Sequence, residues 1–84
     1  MIVSISGMPL EIVTNEFRGD DGKNVKYTDL IFYEYEQLYP AVNKIRLQSG
    51  DEQKIVTNVP SRVRCDCRIH NGRAKMSFID MEPI

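Results

Sequence analysis

Residues 62 to 78, RVRCDCRIHNGRAKMSF, gather five cations, two thiols and the only imidazole of the chain. Three kinds of chemistry could draw on such a set. Metal ligation by Cys65, Cys67 and His70 lacks a fourth ligand and a second Cys/His cluster. Nucleophilic catalysis lacks a recognisable base partner for any serine or cysteine, and no glycine pattern matches a nucleotide loop. His70 sits beside a tight turn, where a polar residue is expected for conformational reasons alone, and turn chemistry also accounts for the adjacent acids Asp20 and Asp21. The chain therefore reads as a non-enzyme, with no cofactor and no metal. Binding of a polyanion is the third possibility.

That possibility rests on period two. In a strand, Val63, Cys65, Cys67 and Ile69 point one way while Arg62, Arg64, Asp66 and Arg68 point the other. Arg73 and Lys75 follow across a turn, and Lys44 and Arg46 add the same sign from a separate strand. A plain alternative is that charges on a wetted strand face guard against edge-to-edge aggregation; Asp66 within the row also interrupts a continuous phosphate track. Unpaired nucleic acid needs flat rings as well as cations, because stacking contributes about 1 to 3 kcal/mol per base. Tyr27 and Tyr39 are the stacking candidates, Phe17, Phe32 and Phe78 are assigned mainly to the core, and Tyr33 and Tyr35 fit either role.

The elements that would position these groups read as strands throughout. Asn71-Gly72 suits a two-residue turn with positive φ at both central positions, joining a strand near 61–70 to one near 73–81. FRGDDGKNVKY is a longer hairpin tip between PLEIVTNEF and VKYTDLIFYEY. Gly7 and Pro9 mark a bend or bulge in the first strand. LYPAVNKIRL supplies a strand with Ile45 and Leu47 inward and Lys44 and Arg46 outward. QSGDEQ reads as a turn, KIVTNV as a short strand before Pro60, and YEQLYP as the site of at most one helical turn. Five or six short strands in one small domain, residues 1–84, predict an all-β curled antiparallel barrel of the oligonucleotide-binding type.

Composition narrows the class of partner. The chain has 84 residues, 42% hydrophobic and 27% charged, which suits a globular domain and not a disordered one. No apolar run reaches the roughly 18 residues of a membrane span, and the start lacks the basic region of a signal peptide, so a cytoplasmic location away from membranes is expected. The net charge is −1, but residues 1–43 hold three basic against seven acidic side chains, whereas residues 44–75 hold eight against three. A near-neutral chain with such asymmetry can still present a basic surface to a polyanion. A domain of this size buries only roughly 60% of its extended surface, which favours a homodimer.

Over residues 18–84 the chain resembles the small single-stranded DNA-binding, helix-destabilising proteins of filamentous phages. The carriers are YPAVNKIRLQSG, where that family has Tyr-Pro followed by Lys-Ile-x-Leu-x-x-Gly, the tip GKNVKY, and a closing hairpin. The resemblance implies a dimeric barrel that binds single-stranded DNA in preference to RNA, without strong sequence preference, in phage or mobile-element replication. It implies stacking by Tyr39, phosphate contact by Lys44, and a DNA-binding tip using Arg18, Lys23 and Tyr27. A second stacking role would fall on Phe32 or Tyr33. Two departures stand out: Asp20 and Asp21 make the tip less basic, and residues 61–75 are richer in arginine. The ending DMEPI is similar to the acidic tails of larger bacterial single-stranded DNA-binding proteins, which implies a replication-protein partner; a frayed end is the simpler reading. The competing functional class is a protein-interaction module, an accessory or inhibitor protein that meets a basic partner through its acidic hairpin half.

Overall fold

The computed structural model describes residues 1–35 and 41–84. Five strands form: β1 Ile2–Arg18, β2 Asn24–Glu34, β3 Ala41–Leu47, β4 Ser61–His70 and β5 Arg73–Pro83. They close in a ring in the order β1-β2-β3-β5-β4, with β4 returning to β1. The expected all-β barrel is therefore the fold, with one difference in strand direction. The β3–β5 seam is parallel, through Ile45 opposite Met76 and Arg46 opposite Ser77. The reason is connectivity: after β3 the chain crosses to β4, which pairs with β1, and the β4–β5 hairpin returns β5 alongside β3. Tyr39, and most of the helical turn expected over YEQLYP, lie outside the described residues.

Alternation dictates the interior. Leu30 and Phe32 from β2, Ile45 and Leu47 from β3, Val63 and Cys65 from β4 and Phe78 from β5 form the buried core, with Val3, Ile5 and Ile12 of β1 packed against it. Burying each large side chain contributes about 1.5 to 3 kcal/mol. Phe32 and Phe78 are core, as expected, and full burial of Phe32 removes it from any stacking role. Gly7 is required where β1 crosses this core: a Cβ there would lie 1.9 Å from the Tyr33 carbonyl oxygen and 2.7 Å from the Phe32 ring.

Two bulges control which residues face out. In β1, Pro9 opposes Phe32 and Glu11 opposes Ile31, leaving Leu10 as the extra residue. Odd positions 3, 5, 7 and 9 face the interior before it; after it Ile12 does. Phe17 is thereby turned outward and is 51% exposed, which corrects its assignment to the core. In β5, Cys65 opposes Phe78 and Arg64 opposes Asp80, so Ile79 is the extra residue and Asp80 and Glu82 turn outward.

The β4–β5 turn has Asn71 at φ 53° and Gly72 at φ 75°, the mirror-image turn expected from Asn-Gly. Ile69 shares the parity of Cys67 but is 79% exposed, because the hairpin runs past the barrel wall there. KIVTNV does not form a strand. A 3₁₀ turn spans Asp51–Lys54, braced by the Gln48 backbone N–H donating to the Asp51 carboxylate at 2.8 Å. The chain beyond it is irregular, with Asn58 at φ 63° and its N–H on the Pro9 carbonyl at 2.7 Å. Among the described residues no helix is long and apolar enough to cross a membrane.

Candidate nucleic-acid interface

Register and burial place one combination of rings and cations on the outer wall. Leu30 and Ile45 are partners inside the barrel, so their neighbours pair outside: Asp29 with Arg46, Ile31 with Lys44 and Tyr33 with Val42. The β1 bulge brings Phe17 to the same side as Tyr27, with ring centroids 5.7 Å apart and planes tilted by 54°. The Arg46 guanidinium carbon lies 4.6 Å from the centre of the Tyr27 ring. Its Nε donates to Asp29 Oδ1 at 2.8 Å, and Asp29 is buried beneath it at 5% exposure.

The parallel seam extends this wall to β5. Met76 and Phe78 face inward, so Lys75 and Ser77 face outward beside Lys44 and Arg46. A cleft of about 340 Å³ runs between Asp29, Lys44, Arg46, Lys75 and Ser77. On the other side of Arg46 a second cleft, about 390 Å³, is walled by Phe17, Val25, Tyr27 and Gln48. Both volumes fall within the range of sites for small organic groups.

The arginine row of β4 faces outward but not freely. Arg62 approaches Glu82 at 3.8 Å, and Arg64 makes a two-point pair with both carboxylate oxygens of Asp80. Arg68 donates to Asp66 at 2.9 Å, and the same carboxylate accepts from the Met1 amine at 3.1 Å. Hydrogen bonds from the amine and then from Arg68 hold the Asp66 carboxyl below its ordinary pKa. The Arg64 hydrogen bond does the same for Asp80, while Asp80 raises Arg64 in return. Among the described residues Lys44, Arg73 and Lys75 have no carboxylate partner.

The residues singled out from sequence thus fall into separate groups. Lys44, Arg46 and Lys75 share a cleft, and Lys75 and Arg73 share a second with His70 at the hairpin end. Arg62 and Arg64 line a different cleft with Asp80 and Glu82; Arg68 lines another with Lys54 and Asp51. Arg18 and Lys23 are exposed at the β1–β2 tip, where the Lys23 N–H is tied to Asp21 Oδ1 at 3.0 Å. Tyr33 and Tyr35 are half-buried, 6.0 Å apart edge to face. The DMEPI residues are neither frayed nor loose: β5 runs to Pro83, and the Ile84 N–H donates to the Pro60 carbonyl at 3.0 Å.

Phe17 and Asp29 are the members that sequence reasoning missed. Phe17 could have been found from the hairpin itself, since a tip centred on Asp21 puts positions 17, 25 and 27 on one side. Nothing local signals Asp29, whose role comes from a residue 17 positions later. Cys65 is sealed in the core, where burial pushes its thiol up to about 11, whereas His70 is exposed, so the two do not converge. No grouping of three potential metal ligands occurs among the described residues. Compared with protein-family models, curated proteins and solved structures, the chain matches none.

Proposed function

We propose that this chain binds single-stranded nucleic acid, DNA in preference to RNA and without strong sequence preference, across the outer wall formed by β2, β3 and β5. The observation that carries the reading is the juxtaposition of the Phe17–Tyr27 ring pair, Phe17 exposed and Tyr27 half-buried, with Arg46, Lys44 and Lys75 on one continuous face. Bases stack on the rings while lysines meet phosphates, the division of labour that unpaired strands require. Barrels of the oligonucleotide-binding type use the face of their second and third strands and the adjoining loops for this purpose. Here the corresponding loops are the Arg18–Asn24 tip, with Lys23, and the Asn71-Gly72 turn beside Arg73.

The phosphate contacts fall on Lys44, Lys75 and Arg73, which lack carboxylate partners among the described residues; Arg62, Arg64 and Arg68 contribute less because each is already paired. Tyr39 joins the stacking set through the resemblance to the filamentous-phage proteins. That resemblance also supports replication of a phage or mobile element as the setting, with the chain acting as a cytoplasmic homodimer. Exposed apolar side chains such as Ile2 and Val42 support self-association, which sedimentation checks: a monomer at high concentration overturns it.

The test of function is a salt titration of the full chain against labelled oligo-dT. Affinity should fall with a log–log slope of roughly −0.7 per neutralised phosphate. No binding at low salt overturns the reading.

A further inference from the structure

Arg46 differs from the lysines around it in being held on two sides. Its Nε donates to Asp29 Oδ1 at 2.8 Å, and its guanidinium carbon sits 4.6 Å from the centre of the Tyr27 ring. The Asp29 side chain is 7% exposed and that of Arg46 53% exposed. The two charges are in contact, so an approaching phosphate meets a nearly neutral pair. What remains available is geometry: a planar group held at Asp29 and at the Tyr27 ring, on a side chain that is about half exposed. A guanidinium in that state is a stacking surface, comparable to an aromatic ring. Its position agrees, because Arg46 forms the wall between the ring-lined cleft of Phe17 and Tyr27 and the lysine-lined cleft of Lys44 and Lys75.

We propose that Asp29 is a positioning residue that converts Arg46 from a phosphate contact into a base-stacking plane, extending the Phe17–Tyr27 platform and leaving phosphates to Lys44 and Lys75. The assignment rests on the reading of this wall as a nucleic-acid interface, and it specifies which part of a nucleotide each side chain meets. Bases lie over Tyr27 and Arg46, and the backbone follows the β3–β5 seam.

Two probes separate the roles: oligo-dT and an abasic oligodeoxynucleotide of equal length, which keeps the phosphates and lacks the bases. Both are titrated with the full chain across a range of salt. Arg46→Lys keeps the charge and removes the plane, so the preference for oligo-dT over the abasic strand should fall about tenfold while abasic affinity holds. Asp29→Asn keeps an acceptor for Nε and removes the negative charge. Arg46 then counts as a cation, and the salt slope should steepen by about 0.7 on both probes. An unchanged preference in Arg46→Lys overturns the proposal, as does an unchanged slope in a folded Asp29→Asn. If Asp29→Asn does not fold, the Arg46→Lys ratio decides alone. A wild-type chain that binds neither probe at low salt removes the nucleic-acid reading and this assignment with it; wild-type binding with an insensitive Arg46→Lys removes only the assignment.

Discussion

Arg64 of β4 and Asp80 of β5 face each other across the hairpin and close a two-point ion pair on the outer wall of the barrel. The pair exists because Ile79 bulges out of the ladder and turns Asp80 away from the interior. It changes the meaning of a row of arginines, since a cation already satisfied by a neighbouring carboxylate releases few counterions when a phosphate arrives.

Acid should weaken the fold through these carboxylates. Asp66 and Asp80 both have folded-state pKa values below the ordinary carboxylate value, the first through hydrogen bonds from the Met1 amine and Arg68, the second through Arg64. A depressed pKa contributes stability that is complete above the unfolded-state value, near 3.9, and is lost as pH falls through the folded-state value. The melting temperature should therefore be insensitive to these two groups at neutral pH and decline below roughly pH 4. Asp80→Asn should flatten part of that decline; an identical acid profile in the variant would contradict it.

Salt dependence should distinguish the free cations from the paired ones. Lys44→Met and Lys75→Met should each make the oligo-dT slope shallower by about 0.7. Arg62→Met and Arg64→Met should leave it within error, because Glu82 and Asp80 already neutralise those side chains. If the basic surface merely repels a wrong partner and the acidic tip meets a basic protein, changing Asp20 and Asp21 to Lys should affect binding more than either lysine variant.

Loss of the rings of the outer wall should reduce binding without unfolding the barrel. Phe17→Ala and Tyr27→Ala should each weaken oligo-dT binding by about 1 to 3 kcal/mol, a factor of roughly 5 to 150. Their urea midpoints should shift little, since Phe17 is half exposed and Tyr27 lies on the outer wall. Equal binding by both variants would leave the aromatic platform without a role.

Gly7→Ala tests the closure of the barrel. The added methyl would lie 1.9 Å from the Tyr33 carbonyl oxygen, so β1 must move away from β2. A destabilisation of about 1 to 3 kcal/mol is expected in urea denaturation. Ser6→Ala, next to it on β1 and opposite Arg62 on β4, should be tolerated by comparison.

Much of the fold was legible because alternation and turn chemistry are local. The Asn71-Gly72 turn, the β1–β2 hairpin and the inward Ile45 and Leu47 of β3 follow from residue types within a few positions. KIVTNV misled for the same reason: β-branched residues predict a strand, but no neighbour was left to pair with it. The site was less legible. Lys44, Arg46 and Tyr27 are evident as candidates, whereas Phe17 is grouped with the core phenylalanines because aromatics fill small barrels, and the extra residue Leu10 in β1 leaves it facing outward instead.

The sequence by itself determined that the chain is a strand-built domain with cations and rings on alternating faces, because side-chain direction in a strand repeats every two residues. Only the tertiary structure decided which of those cations are free. Arg46 meets Asp29 and Arg64 meets Asp80 across 17 and 16 positions of chain, and Lys75 reaches Lys44 through a parallel seam. Those meetings depend on strand register and, for Arg64 and Asp80, on the Ile79 bulge, which are settled by how whole strands close on one another and leave no trace in local spacing.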